Sequence, residues 1–245
     1  MKRVTPSSNL KPASAPRSIS CQLCQDTGWI HPVKDGRTDY GRLVSCECQR
    51  VVLEEQRRKD LMNWCRLPVG TEHMTLEKTE KKPWIKTALA AASQIADEIG
   101  DIKWLTLIAP KDRGKTHLAI AICRRWLERG RPARYAFVPL MLKELRDGFE
   151  REGEESYRNA FDRLCNFPLL VLDDMGVEKE SEWSQEQLQT IIHYRGINGL
   201  PLVVTTNHPL NELKNDPEGR IASRLQRETW CKVIVLGGQE HRLER

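Results

Sequence analysis

The sequence predicts an α/β fold in which helices flank a parallel sheet, preceded by a small cysteine-rich module. Three observations carry this prediction. An apolar strand runs directly into a glycine-containing loop and a helix within Leu105–Ile122. Further apolar runs end in polar residues at Asp173-Asp174 and at Thr205-Thr206-Asn207, and four of the eight cysteines lie between residues 21 and 48. Strands that alternate with helices are typical of a parallel sheet.

The composition is that of a globular protein. Of the 245 residues, 39% are hydrophobic and 30% are charged, which is enough apolar material for a core. No apolar run reaches the length of a membrane span, and the N-terminus lacks the apolar segment of a signal peptide. We therefore expect no membrane association and a cytoplasmic location. The net charge of +5 is compatible with an anionic partner.

The N-terminal region is predicted to hold a metal. Residues 1–20 are basic, rich in Ser and Pro and free of acidic residues, which indicates a disordered tail. Cys21 and Cys24 then precede Cys46 and Cys48 by 21 intervening residues. Two close pairs around a short loop are what a tetrahedral Cys₄ zinc site requires, although the second pair is tighter than usual. Residues 21–50 are therefore predicted to be a zinc-binding module.

The remaining chain is predicted to form a helical linker at 51–75 and a main domain at 76–245. A helix is expected at 49–65, and Leu67-Pro-Val-Gly70 breaks it. Pro83 opens another helix, which ends at Gly100. Further elements are expected as a strand at Ala133–Val138, one or two helices at 139–165, a helix at Ser184–Tyr194 and a last strand at Trp230–Leu236. Four cysteines are predicted to be small core residues: Cys65, Cys123, Cys165 and Cys231.

The loop after the first strand of the main domain is predicted to bind phosphate. Its spacing, Ala or Gly, four residues, then Gly-Lys-Thr, fits the relaxed P-loop pattern. Backbone N–H groups of such a loop surround the phosphates, Lys115 neutralises phosphate oxygens, and the Thr116 hydroxyl ligates Mg²⁺. The alternative is a chance match at a helix start, and the later motifs argue against it. The predicted nucleotide-binding residues are Ala109, Pro110, Lys111, Asp112, Arg113, Gly114, Lys115, Thr116 and His117.

Asp112 makes this loop unusual, because it stands where the tighter G-x-x-G-x-G-K-T pattern has its second glycine. Glycine there permits positive φ, which aspartate tolerates poorly but better than most residues. A carboxylate about 6 Å from a phosphate charge costs roughly 3 kcal/mol at an effective dielectric near 20. Lys111 and Arg113 flank Asp112 and oppose that repulsion. Nucleotide binding is predicted, and Asp112 leaves its strength open.

Two later strands are predicted to complete the site. The apolar strand at Phe167–Gly176 ends in two carboxylates, of which Asp173 would hold Mg²⁺ through water. Asp174 would orient and deprotonate the attacking water. A strand that ends in two aspartates by chance is the alternative. Ligands of open α/β sheets lie at the carboxyl ends of the strands, so Asn207 is expected to reach the γ-phosphate or its water.

Four segments occur in order along the chain: G-K-T-H-L-A at 114–119, L-L-V-L-D-D-M-G at 169–176, T-T-N at 205–207 and R-I-A-S-R-L at 220–225. Together they resemble AAA+ ATPases and, more narrowly, the DnaC/DnaI helicase-loader group. The N-terminal C-x-x-C…C-x-C pattern, with Asp26-Thr-Gly-Trp29 after the first pair, resembles the zinc-binding helicase-docking domain of the DnaI branch. The resemblance covers about residues 21–245.

This resemblance implies an adaptor that binds the replicative DNA helicase through its N-terminal domain. ATP control and contact with single-stranded DNA would lie in the AAA+ domain. The resemblance makes Asp173 and Asp174 the Walker B pair and Asn207 the sensor I residue. Asp174 is one methylene shorter than the glutamate of many relatives. Lys115 and Thr116 keep the roles given above.

The resemblance also assigns roles to arginines. Arg224 would be the arginine finger, which implies a homo-oligomer, and Arg220 is its neighbour. Arg242 resembles a sensor II arginine, in a context that departs from the family's pattern. The family's helical insert maps to residues 139–165, where three basic residues are expected to contact DNA: Lys143, Arg146 and Arg151.

Two other functions are left open by the sequence. One is a transposition helper ATPase of the same clade, against which the Cys₄ module with Asp26-Thr-Gly-Trp29 argues. The other is a nucleotide-binding adaptor with little hydrolysis, because Asp112 puts the hydrolysis rate in doubt. A turnover assay separates the second from an ATPase. The helicase-loader interpretation predicts ATP, Mg²⁺ and Zn²⁺ as cofactors.

Overall fold

The structure is a computed structural model that describes residues 20–177, 181–213, 216 and 218–237. The predicted tail, apart from Ser20, and Arg242 lie outside the described residues. The chain divides into two compact units, residues 1–57 and residues 58–245. Within the described ranges, no helix is long and apolar enough to cross a membrane.

The first unit contains very short strands around the cysteines. The strands β1 (Trp29–Ile30) and β4 (Val44–Ser45) pair antiparallel, as do β2 (Val33–Lys34) and β3 (Arg37–Thr38). Strands of two residues bury little apolar surface, and a module of this size rarely forms a stable core alone. The helix α1 (Glu47–Cys65) begins in this unit and continues into the second.

The second unit is built on a five-stranded parallel sheet. Its helices and strands after α1 are α2 (Lys86–Asp97), β5 (Trp104–Ile108), α3 (Lys115–Glu128), β6 (Ala133–Phe137), α4 (Val138–Glu152), α5 (Glu154–Asn166), β7 (Leu169–Met175), α6 (Glu182–Ile197), β8 (Leu202–Thr206), α7 (Arg220–Arg227) and β9 (Cys231–Val235). The strand order is β6-β7-β8-β5-β9, and every neighbouring pair is parallel. The predicted α/β class is confirmed.

Both faces of this sheet are covered, because alternate residues of each strand enter different clusters. Leu105 and Leu107 of β5 pack with α2 and α3, whereas Trp104 and Ile108 pack with α4, α6 and α7. A parallel sheet buried on both faces explains why its strands appear as continuous apolar runs in the sequence. The same arrangement brings the carboxyl ends of β5, β7 and β8 to one edge of the sheet.

Two details differ from the sequence-based expectations. Val138 was expected at the end of a strand, but it begins α4 because the following Pro139 fits the first turn of a helix and cannot donate to a sheet. Cys231 was expected in the core, but it is half-buried on the edge strand β9. The other three predicted core cysteines, Cys65, Cys123 and Cys165, are buried.

Candidate nucleotide site and metal centre

The loop that joins β5 to α3 has the backbone of a tight phosphate-binding turn. Gly114 has φ of 86°, and a Cβ at this position would lie 3.1 Å from Ile85 Cδ1. Asp112 has φ of 61°, in the left-handed region that its place in the motif predicted. The loop therefore requires glycine at 114, whereas at 112 an aspartate adopts the conformation for which glycine is best suited.

Lys115 is buried at the start of α3, and all three of its N–H donors are used. Its Nζ donates to the carbonyl oxygens of Ala109 at 2.7 Å and Pro110 at 2.8 Å. The third bond, at 2.8 Å, goes to Oδ1 of Asn207 after β8. Burial lowers the pKa of Lys115, and the nearby carboxylates of Asp174, Asp173 and Asp112 oppose that shift. The ammonium thus lies where the ends of β5 and β8 meet.

Asp173 at the end of β7 is 2% exposed and accepts hydrogen bonds from three hydroxyl groups. Thr116 Oγ1 lies 3.2 and 3.1 Å from its two carboxylate oxygens. Thr205 of β8 donates to Oδ1 at 2.7 Å, and Tyr135 of β6 donates to Oδ2 at 2.6 Å. Burial raises the pKa of Asp173, whereas the bonds from Tyr135, Thr205 and Thr116 lower it. Thr116 and Asp173, both predicted to serve Mg²⁺, therefore lie in contact with one another.

Sequence reasoning missed Tyr135 and Thr205 as members of this cluster. Thr205 belongs to the same Thr-Thr-Asn segment from which Asn207 was predicted. Its position near Asp173 and Asp174 could therefore have been predicted from that segment. Tyr135 carried a weaker signal, a single hydroxyl within an apolar strand. Its contact with Asp173 depends on β6 pairing with β7, and strand order cannot be derived from the motif.

Asp174 adopts an unusual backbone conformation that turns it toward Asn207. Its φ is 57°, and the pairing of β7 with β8 shifts register between Leu172 and Met175. The Asp174 N–H donates to Thr205 Oγ1 at 2.9 Å, and Asn207 Nδ2 donates to Asp174 Oδ1 at 3.1 Å. Asn207 therefore bridges Lys115 and Asp174 with the two ends of one amide.

The remaining loop side chains differ in position. Lys111 is exposed. The Nε and Nη1 atoms of Arg113 are buried and have no hydrogen-bond partner in the described part of the chain, although the charge of Arg113 acts on the pKa of Lys115. His117 Nε2 lies 3.1 Å from the carbonyl oxygen of Thr75, and burial lowers the pKa of His117. The His117 ring thus bonds the segment before α2.

The predicted arginine finger is not part of this cluster in one chain. Arg224 on α7 is half-buried and donates to the carbonyl oxygen of Arg220 at 3.2 Å, within its own helix. Arg220 is exposed and pairs with Glu218 at 2.5 Å. Among the described residues, neither arginine bonds the P-loop or the acidic pair.

Four thiols converge in the first unit. The sulfur atoms of Cys21, Cys24, Cys46 and Cys48 all lie within 4.8 Å of one another. Two pairs are closer, with Cys21 to Cys46 at 3.7 Å and Cys24 to Cys48 at 3.3 Å. A tetrahedral site with Zn–S bonds of 2.3 Å has sulfur separations of about 3.8 Å, so this donor set fits zinc. The backbone N–H of Cys24 is the main cause that lowers the pKa of Cys21 to about 7, whereas the hydrogen bond with the Cys24 side chain is the main cause that raises the pKa of Cys48.

The arrangement in the second unit suits a phosphate ester accompanied by a divalent cation. Lys115 is a donor for phosphate oxygens at the N-terminus of the 14-residue helix α3. Thr116 and Asp173 offer oxygen ligands of the kind that Mg²⁺ prefers.

The family of the chain follows from a comparison with known proteins. The family model described as IstB-like ATP binding protein matches residues 47–239. The chain belongs to this family. Its members are ATP-binding proteins of the AAA+ class, and the matched residues include the P-loop, the acidic pair, Asn207 and α7.

Relatives and solved structures extend the comparison. The chain is 29% identical over 140 residues to the replicative helicase loader DnaC of Escherichia coli K12, which covers 57% of this chain and 57% of that protein. It is 23% identical over 215 residues to the replicative helicase loader DnaI of Bacillus subtilis, covering 81% of this chain and 68% of that protein. A crystal structure of the DnaC helicase loader superposes with a TM-score of 0.59 at 22% identity, covering 69% of this chain and all of that one. That structure supports the fold.

Proposed function

We propose that this chain is an ATP-dependent loader that binds the replicative DNA helicase and helps place it on single-stranded DNA during replication initiation. One observation carries the proposal. Lys115, Thr116, Asp173, Asp174 and Asn207 form one connected cluster in a chain whose relatives are named replicative helicase loaders. Because the chain spans only 57% of the DnaC relative's length, that protein's activity and partners are proposals for this one.

In the proposed reaction, ATP binds at Ala109–His117 and its phosphates replace the loop carbonyls as partners of Lys115. Thr116 and Asp173 would hold the accompanying Mg²⁺, which when bound would supply neutralising charge to the phosphate oxygens. Asp174 accepts the proton of the attacking water, and Asn207 orients that carboxylate through its present 3.1 Å bond. The chemistry is ATP hydrolysis.

Arg224 is proposed to complete the site of a neighbouring subunit. Its planar guanidinium spreads positive charge over transferring phosphoryl oxygens. The separation of Arg224 from the Lys115 cluster within one chain supports an action in trans, since no bond joins the two among the described residues. The proposal therefore includes a homo-oligomer. Arg242 remains a proposed nucleotide contact outside the described residues.

The first unit is proposed to hold Zn²⁺ at its four cysteines and to bind the helicase. Support comes from large apolar side chains that the unit exposes. Scattered exposed apolar residues are ordinary, but several within one small unit are typical of a protein-binding surface. Those that are more than half exposed include Leu23, Trp29, Val33, Tyr40, Leu43, Val52 and Leu53.

Single-stranded DNA is proposed to contact α4, where Lys143, Arg146 and Arg151 lie. The guanidinium of Arg146 stacks over the ring of Trp183, 4.8 Å from its centroid. An arginine beside an aromatic ring is suited to contact both phosphate and base. Phe149 on the same helix is 54% exposed, which adds a second aromatic face.

A transposition helper ATPase is the second candidate, and the family description carries it, because the matching model is named for IstB. The Cys₄ cluster favours the helicase loader over the transposition helper, because its cysteine pattern resembles the zinc-binding helicase-docking domain. An adaptor with little hydrolysis is the third candidate. This adaptor would bind the same helicase as the proposed loader but would hydrolyse little ATP.

The test uses the purified replicative helicase of the native host and the transposase of an associated element. The full chain should bind the helicase and, with ATP, increase helicase activity on DNA coated with single-strand-binding protein. Asp174→Asn should bind the same helicase but hydrolyse ATP more slowly by about 10²–10⁴-fold. Binding to the transposase and not to the helicase would replace the loader by the helper ATPase. Helicase binding without measurable turnover would favour the adaptor.

A further inference from the structure

The carboxylate of Asp173 is held from both sides by hydroxyl groups of neighbouring strands. Thr205 on β8 bonds Oδ1 at 2.7 Å, and Tyr135 on β6 bonds Oδ2 at 2.6 Å. Because β7 lies between β6 and β8, the two donors approach from opposite directions. The Thr116 hydroxyl lies 3.2 and 3.1 Å from the two carboxylate oxygens and thus contacts the carboxylate from a third side.

Tyr135 is suited to hold a carboxylate and not only to fill space. Its side chain is 6% exposed and its hydroxyl bonds Asp173 alone among the described residues. Short hydrogen bonds to an ionised acceptor are about twice as strong as neutral ones.

We propose that Tyr135 is a positioning residue that fixes the orientation of the Asp173 carboxylate for the Mg²⁺ that accompanies ATP. This inference rests on the proposed ATPase function and adds a residue to it from the edge strand β6. Without the phenol, Oδ2 keeps, among the described residues, only the longer bond from Thr116. Thr116 is itself expected to ligate the cation, so its hydroxyl cannot serve as the fixed reference for Asp173.

The test measures the binding of a fluorescent, non-hydrolysable ATP analogue with and without Mg²⁺. The Mg²⁺-free buffer contains no chelator, so that any zinc in the first unit is retained. Tyr135→Phe should bind the analogue like the parent without Mg²⁺. With Mg²⁺, its gain in affinity should be about tenfold smaller than that of the parent, as expected for the loss of a charge-assisted hydrogen bond.

A matched control is Tyr157→Phe, which removes a phenol that donates to Gln187 Oε1 at 2.5 Å, between α5 and α6. This variant should keep the parent's response to Mg²⁺. Tyr135→Leu is the second variant at the site, and its response to Mg²⁺ should be reduced as that of Tyr135→Phe is. It tests the hydroxyl with a different side-chain shape.

Any result other than this selective loss of the Mg²⁺ response contradicts the proposal. If Tyr135→Phe and Tyr135→Leu respond to Mg²⁺ like the parent, Tyr135 does not position Asp173. If affinity falls equally with and without Mg²⁺, the role of Tyr135 is structural. If the parent itself binds no ATP analogue, the proposed function fails, and that result is distinct because it appears before any variant is compared.

Discussion

Lys115 Nζ and Asn207 Oδ1 lie 2.8 Å apart, and this bond joins the P-loop to the end of β8. The same ammonium also bonds two carbonyl oxygens of its own loop. In the proposed ATPase, ATP would exchange those partners for phosphate oxygens. Because Asn207 also bonds Asp174, that exchange would reach the group that we propose as the base for hydrolysis. The proposal therefore links ATP binding and turnover through one amide.

Asp112 should weaken ATP binding, and two substitutions separate the two physical causes. Asp112→Asn removes the charge and keeps a side chain that tolerates the left-handed backbone, whereas Asp112→Gly also relieves the backbone at φ of 61°. Both variants should bind ATP more tightly, by up to about 100-fold for a repulsion of roughly 3 kcal/mol. Titration of an ATP analogue measures the change. Unchanged affinity in both variants would show that Asp112 does not repel the phosphates.

The irregular loop shows how far sequence reasoning reached. The motif predicted a glycine-like conformation at Asp112, and the structure has it. The motifs assigned Thr116 and Asp173 to the same Mg²⁺, and the two side chains lie 3.2 Å apart because a P-loop and an acidic strand end share one edge of a parallel sheet. Sequence motifs of this kind predict the roles of residues that lie in the motif or within a few positions of it.

Sequence motifs could not predict the side-chain contacts of Tyr135 and His117. Tyr135 meets Asp173 because β6 is the neighbour of β7, and no local pattern states which strands are neighbours. His117 stays a predicted nucleotide contact, and its ring also bonds Thr75, 42 positions earlier in the chain. Long-range packing of the segment before α2 decides that contact. Cys231 is half-buried for a similar reason, since β9 is an edge strand.

Arg224 should act on the site of another subunit. Arg224→Ala is expected to bind ATP like the parent but to hydrolyse it about 10³-fold or more slowly. Adding Lys115→Ala protein, which has an intact Arg224 and an impaired site, should restore hydrolysis as the concentration rises. The control is Arg227→Ala, which removes an exposed arginine from the same helix and should hydrolyse normally. A mixture as inactive as its components, where the parent self-associates, would exclude the assignment.

The cysteine cluster should bind about one zinc per chain, as measured by metal analysis of the purified protein. Cys24→Ser should lose the metal and the binding of the helicase, while ATP binding by the second unit is retained. Cys231→Ser is the matched control, because Cys231 lies on β9 outside the cluster. The zinc assignment fails if the metal-free protein binds the helicase as well as the untreated protein does.

The most direct test of the account is the affinity of the Lys115→Ala variant for ATP in the presence of Mg²⁺. The parent is expected to bind, and the variant should bind at least about 100-fold more weakly, since it loses charge-assisted bonds to the phosphates. Lys232→Ala, which removes an exposed lysine on β9, should bind like the parent. Equal ATP affinity of the parent and Lys115→Ala would contradict the assignment of the loop after β5 as the nucleotide site.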